Sequence, residues 1–422
     1  MYLFFKLDFL QKEDFMHLSL LKRAIQELST QNYSYVELNN KIQNTLGEFN
    51  IYESYEEDIQ GNMINLFNIN FKSFNNKIQE SFILIKEILI NINFHDYDRL
   101  KEIVLSLKND FKSRLIPKGH IFATTRAESK LSQSKYLREL QFGITGREYW
   151  QKVKTDIESL KELAYNLENL KNKIIFKNNL SSLLIGNTND VIKRLESKLF
   201  ILRESLSEKT YINTSIIIQP PSNTLKEIII IPSEISFNSM CFVSYKITDE
   251  NYPKINFLTH ILRSGTLWEK IRVVGGAYGA FASITNGIFS FTSYRDPNFV
   301  KTYQAFEASL EELANHEIKN EELLTYLVGV IGMSTNVKTK ATEILESYKR
   351  KMLNISDQLR QNIRNAYFQI TGRDIKNISG QLLYQLKHKN SITSLVNNTS
   401  YENEKEKLES LIGKEYRLKK IY

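Results

Sequence analysis

Leu267-Trp268-Glu269-Lys270-Ile271-Arg272-Val273-Val274-Gly275-Gly276-Ala277-Tyr278-Gly279-Ala280 is the stretch on which the reading of this chain turns. An amphipathic run stops on two adjacent glycines, and a strand-like run that opens with an aromatic hydroxyl follows. Glycine gives the backbone access to positive φ and to close approach, at an entropic cost that a plain connector need not carry. Arg272 offers a planar fork of donors suited to carbonyls and carboxylates, and Tyr278 offers one donor on a rigid, partly apolar ring. Two readings are open. Either the pair grips a polar ligand beside Gly275, Gly276 and Ala277, or a glycine ends a helix, with Arg272 solvated at its last turn and Tyr278 packed on the rim of a sheet.

The segments around this stretch alternate between the two periodicities. Before it, 227–231 and 240–247 read as strands and 254–262 and 267–273 as helices; after it, 277–284 and 287–294 read as strands and 298–315, 320–333 and 339–353 as long helices. A similar order occurs earlier in the chain. The apolar start, Met1 to Phe9, lacks a basic leader and a small-residue cleavage site and so predicts a buried strand rather than a signal peptide. Helices are expected at 14–29 and 35–46, the second stopping at Gly47, then strands at 48–55 and 62–71. Helices at 75–92 and 96–112, a helical tract at 148–175, a strand at 183–186 and a helix at 190–206 complete the unit. Between the units lies 207–224, where Pro220-Pro221-Ser222-Asn223 can continue neither periodic structure.

The recurrence predicts an α+β chain of two homologous domains, 1–206 and 225–422, joined by a linker at 207–224, each an antiparallel sheet with helices packed mainly on one face. Aligning Gly47 with Gly276 places Gln43 opposite Arg272 and Phe49 opposite Tyr278. In that register the first copy forms without an arginine or a tyrosine hydroxyl there, which moves weight toward a ligand role for both.

Composition bounds the alternatives. At 422 residues the chain exceeds one ordinary core, and 42% hydrophobic with 25% charged residues is usual for a globular protein. The net charge of +8 is spread among Glu and Asp along helices, and the densest basic cluster, Tyr416-Arg417-Leu418-Lys419-Lys420, reads as a short tail. No nucleic-acid-binding signature is present, so neither nucleic acid nor membrane is expected as a partner. The longest apolar runs, 82–85 and 228–231, fall far short of the ~20 residues of a spanning helix. Cys241 lies in an apolar strand and reads as core, and the six histidines show no metal-ligand spacing. Phosphate-loop and Gly-x-Ser-x-Gly patterns are missing as well. The residues alone give a two-domain α+β protein with one polar ligand-contact motif, no metal site and no self-sufficient catalytic centre.

The 267–279 run resembles the C-terminal half of the pitrilysin/insulinase class of zinc metalloproteases, most closely the presequence-protease (falcilysin-like) branch. Tyr33-Ser34-Tyr35-Val36-Glu37-Leu38, Lys118-Gly119-His120-Ile121-Phe122-Ala123 and Lys177-Asn178-Asn179-Leu180 are similar to that branch in the same order, so the resemblance spans essentially the whole chain. It implies a clamshell peptidase of four similar α+β domains, with this chain as the third and fourth. The inverted His-x-x-Glu-His zinc helix would lie in the first domain, so the resemblance implies zinc in the assembled enzyme and no cofactor in this chain. Arg272 and Tyr278 would be catalytic, reaching the substrate at that zinc, with Gly275, Gly276 and Ala277 contacting it. The implied partners are a zinc-bearing N-terminal half, on the same polypeptide or a separate subunit, and unstructured peptide substrates. The implied compartment is a bacterial cytoplasm or an organelle matrix. The alternative is a structural subunit of the same fold without proteolysis, against which the retention of Arg272 and Tyr278 argues.

Overall fold

A computed structural model describes residues 1–209, 216–220 and 225–421. The chain opens, as its apolar start predicts, on a buried strand, β1 (Tyr2–Lys6), with Leu3, Phe4 and Phe5 in the interior. Helices α1 (Lys12–Glu27) and α2 (Tyr35–Thr45) follow, the latter started by a capping box between Ser34 and Glu37. The hairpin β2 (Leu46–Glu57) and β3 (Met63–Ser73) comes next. Helices α3 (Ile78–Ile90), α4 (Tyr97–Arg114), α5 (Gly119–Glu128), α6 (Gln133–Phe142), α7 (Ile144–Lys152) and α8 (Ile157–Ile174) lead to β4 (Leu180–Leu183) and α9 (Asn189–Glu204). The strands form one antiparallel sheet in the order β2-β3-β1-β4.

The second half contains β5 (Lys226–Ile230), β6 (Phe237–Val243), α10 (Tyr252–Ser264), a π-helical turn at Trp268–Val273, β7 (Gly279–Thr285) and β8 (Ile288–Tyr294). Helices α11 (Val300–Asn315), α12 (Asn320–Ser334), α13 (Lys340–Met352), α14 (Asp357–Tyr367) and α15 (Gly372–His388) precede β9 (Asn390–Val396), α16 (Asn398–Ile412) and β10 (Arg417–Lys420). The sheet order is β10-β5-β9-β6-β8-β7, with β5 parallel to both β9 and β10, so this sheet is mixed. Its β7-β8-β6-β9 portion repeats the β2-β3-β1-β4 order of the first sheet.

Period-two burial decides what each face of the second sheet meets. Ile228, Ile230, Met240 and Phe242 enter a core shared with α10, α11 and α15, whereas Ile229, Ile231 and Phe237 join the core of the first half. Helix α5, from the first half, packs on that second face against β6, β8 and β9. Its first residue explains the fit. A Cβ on Gly119 would lie 2.4–2.6 Å from ring carbons of Phe237, which is fully buried. Gly119→Ala is therefore expected to cost about 1–3 kcal/mol by overpacking. Urea unfolding would read this as a lowered midpoint, and an unmoved midpoint would contradict the close approach.

Several local expectations change. Gly47 does not end a helix: α2 stops at Thr45, and Gly47 lies inside β2 beside a register shift between Leu46 and Glu48. The tract 148–175 is two helices, broken before Asp156, whose carboxylate accepts from the Ser159 N–H and starts α8. The strand expected at 183–186 lies at Leu180–Leu183, and the basic tail is β10, hydrogen-bonded to β5. Of the expected linker, 210–215 and 221–224, with Pro221, Ser222 and Asn223, lie outside the described residues. Ile218 is buried in the first core, and the Ile216 N–H donates to the Asp8 carbonyl.

Candidate functional site

The segment between α10 and β7 is shaped by burial at one end and by chain reversal at the other. Leu267 and Ile271, four residues apart, are buried in the second core and seat the π-helical turn, and Lys270 ties it to α11 through an ion pair with Glu312 at 2.8 Å. The turn is wide: the Val274 N–H donates to the Glu269 carbonyl at 2.9 Å, five residues back, a rare geometry that occurs frequently at functional sites. Gly276, at φ +76°, then ends it in a left-handed cap, donating to the Arg272 carbonyl at 3.1 Å. A Cβ on Gly275 would lie 2.6 Å from the Ile271 carbonyl oxygen, and the Asn298 side-chain amide donates to the Gly275 carbonyl at 2.6 Å. Ala277, buried, donates to the Ile271 carbonyl at 3.0 Å, and the Tyr278 N–H donates to that of Arg295 at 3.3 Å.

Helix termination thus accounts for both glycines, and the amides of Gly276, Ala277 and Tyr278 are already committed within the chain. The side chains of Arg272 and Tyr278 are not. Arg272 is exposed on the π-helical turn, and no ion pair or side-chain hydrogen bond engages it among the described residues. Tyr278 is 68% exposed, and its hydroxyl has no hydrogen-bond partner among them. No hydrogen bond joins the two side chains; what they share is one rigid turn at the edge of the sheet.

An aromatic cluster holds the Tyr278 ring. Tyr294 meets it edge-on at 5.6 Å and 90°. Tyr294 in turn packs against His120 of α5 at 4.3 Å and Phe237 at 6.2 Å, and the Arg295 guanidinium lies 5.5 Å over its ring. Burial, with Lys118 adding to it, pushes the His120 imidazole below its ordinary range, so the ring is neutral at pH 7. Sequence reasoning missed His120, Tyr294 and Arg295. The readable signal was Asn286-Gly287: both residues have positive φ, 51° and 75°, which makes a two-residue hairpin and pairs Gly279 with Tyr294.

The first half supplies a comparison by topology. Where β7 is preceded by Tyr278, β2 is preceded by Thr45, so that strand forms without an aromatic hydroxyl before it. As for metal, no three His, Cys, Asp or Glu side chains gather to hold an ion among the described residues. Burial pushes the Cys241 thiol up to about 12, which suits a core residue of β6 and not a nucleophile.

Two family models match the chain: "Peptidase M16C associated" over residues 1–153 and "PreP C-terminal domain" over 226–400. An uncharacterized protein of Borreliella burgdorferi is 69% identical over 420 residues, covering 100% of this chain and 43% of that protein. The mitochondrial presequence protease of Drosophila melanogaster is 26% identical over 93% of this chain and 40% of its own length. The chain therefore spans less than half the length of these relatives. The crystal structure of pitrilysin superposes with a TM-score of 0.65 at 13% identity, over 99% of this chain and 42% of pitrilysin, which shows a shared fold. The chain belongs to the pitrilysin (M16) peptidase family, as a C-terminal half of its presequence-protease branch.

Proposed function

We propose that this chain, with 1–206 and 225–422 as its two units, is the substrate-clamping, chamber-closing half of a zinc metalloendopeptidase that degrades peptides. One observation carries the reading: two polar side chains, Arg272 and Tyr278, stand exposed and without a hydrogen-bond partner among the described residues, on and beside a turn whose backbone amides at 274 and 276–278 are all committed. The described residues do not fit a catalytic zinc, and the reading assigns zinc to an N-terminal half on the same polypeptide or on a separate subunit.

The roles follow from the groups themselves. When a peptide carbonyl becomes tetrahedral its oxygen gains charge, and a fixed Tyr278 hydroxyl pointed at it donates most strongly at that moment. Arg272, with its planar fork, would take a backbone carbonyl of the same peptide and fix its register. Because the amides of 276–278 are committed, recognition at this turn falls to side chains, and Gly275, Gly276 and Ala277 contribute shape.

Arg272→Lys separates the roles. It keeps the charge and loses the fork, so in the assembled enzyme KM for a peptide is expected to rise roughly tenfold with kcat within about twofold. Steady-state kinetics on a fluorogenic peptide would show it; an unchanged KM would remove the clamp.

A further inference from the structure

Helix α5 of the first half runs along β8 of the second in a regular ladder. The His120 ring packs on the Tyr294 ring at 4.3 Å, the Thr124 hydroxyl lies 2.7 Å from that of Thr292, and Glu128 accepts from the Ser290 hydroxyl at 2.7 Å. Four residues of helix rise about 6.0 Å and two residues of strand about 6.6 Å, so these rungs stay in step as the two elements run in opposite directions. The lower rungs are hydrogen bonds, and Thr292, Ser290 and Glu128 are buried. The top rung is different. Neither nitrogen of His120 has a hydrogen-bond partner among the described residues, and Nδ1 is sealed from solvent, so this side chain acts by the ring alone. Burial keeps that ring neutral, which lets it lie on Tyr294 although the Arg295 guanidinium is there too.

The end of β8 that carries the top rung also holds Tyr278 twice, by the bond from its N–H to the Arg295 carbonyl and by the edge-on contact of its ring with Tyr294. An exposed tyrosine has several staggered positions open to it, and Tyr278 keeps one only while Tyr294 keeps its own. We propose that His120 is a positioning residue for Tyr278: acting through Tyr294, it holds the hydroxyl where a peptide carbonyl becomes tetrahedral. The inference rests on the peptidase-half reading and deepens it, because a helix of the first half then sets the place of a group that the second half presents to substrate. A donor misplaced by about 1 Å can lose as much as 10²-fold in rate, so a side chain that never touches substrate can still be felt in turnover.

The test is a double-mutant cycle in the assembled enzyme, read by steady-state turnover of a fluorogenic peptide. His120→Ala opens the space beside Tyr294 and is expected to lower kcat about tenfold with KM within about twofold. His120→Phe keeps a flat ring in that space and should stay within about threefold of the native kcat. When Tyr278 is already phenylalanine, adding His120→Ala should change kcat by less than about twofold, since the hydroxyl it positions is gone. The two lower rungs remain to hold α5, and if His120→Ala still fails to fold, His120→Gln, which fills the space without a ring, carries the same cycle. The proposal is overturned by an unchanged kcat in His120→Ala, by an equal loss in both Tyr278 backgrounds, or by a loss in His120→Phe as large as in His120→Ala. Turnover that falls in Tyr278→Phe but not in His120→Ala strikes this inference alone, whereas turnover undiminished in Tyr278→Phe strikes the peptidase-half role of that hydroxyl and this inference with it.

Discussion

Tyr278→Phe in the assembled protease is expected to lower kcat by about 10²–10³-fold, equivalent to roughly 2.7–4 kcal/mol of lost transition-state stabilisation, with KM little changed. The substitution removes one oxygen and nothing else the fold uses. The hydroxyl has no hydrogen-bond partner among the described residues, the ring is 68% exposed, and phenylalanine keeps the ring that meets Tyr294 edge-on. Stability should therefore move by no more than about 0.5 kcal/mol, as for other surface changes. Stopped-flow or steady-state turnover on a fluorogenic peptide measures the effect, and denaturant unfolding of the same variant provides the control. Undiminished turnover would exclude the oxyanion role.

The largest expected stability effect lies elsewhere, at Arg126, where the two halves are joined. Its Nε donates to Glu227 Oε2 at 2.6 Å and one terminal nitrogen to Oε1 at 3.1 Å; the other reaches Thr145 at 2.8 Å and Glu139 at 3.2 Å. Glu227 is the second residue of β5 and buried, and Glu139 is wholly buried on α6. Burial alone would raise the Glu227 carboxyl, but Arg126, with Lys130 and Lys419 behind it, outweighs burial and holds it below its ordinary value. For Glu139 burial prevails and the carboxyl is raised. Arg126→Ala leaves the buried Glu139 without its cation and Glu227 with Lys130, at 3.7 Å, in place of the two-pronged guanidinium, which is expected to cost about 3–5 kcal/mol.

The pH dependence has a definite sign. In the native chain the depressed Glu227 contributes stability that is present above its ordinary 4.5 and is lost as pH falls below it. In the variant Glu139, already raised by burial, loses the cation that opposes burial, so the folded form takes up this proton before the unfolded chain does, and acid relieves the defect. Unfolding measured at pH 7.5 and at pH 5 should show the larger deficit at pH 7.5. A deficit independent of pH would mean that Arg126 acts by packing alone.

What could be read from the sequence follows from which constraints are local. The hairpin 277–294 was legible because alternation and its Asn-Gly turn lie within a few residues of each other. Strands β10 and β9 of the second sheet were not. β10 pairs with β5 from the far end of the chain, and nothing local distinguishes Arg417–Lys420 from a solvated tail. β9 is central yet rich in serine and threonine, which reads as loop. Its polar groups are satisfied only by tertiary contacts, Ser391 donating to the Ala127 carbonyl and Ser394 to Asn238. α15 shows the opposite case: Ile375, Ile378, Leu382 and Leu386 form a plain helical stripe whose signal is entirely local. At the candidate site Arg272 and Tyr278 were visible, but the support of Tyr278 by His120 was not, because α5 reaches the second sheet only through the gap that Gly119 leaves on Phe237.

The proposed role of Arg272 and Tyr278 as half of an active site predicts complementation. The decisive measurement is zinc-dependent cleavage of an unstructured peptide by this chain alone, by a partner half carrying the inverted His-x-x-Glu-His motif alone, and by the two together. The account predicts cleavage by the mixture, sharply reduced when this chain carries Tyr278→Phe, and none by either half alone. Zinc-dependent cleavage by this chain alone would contradict it.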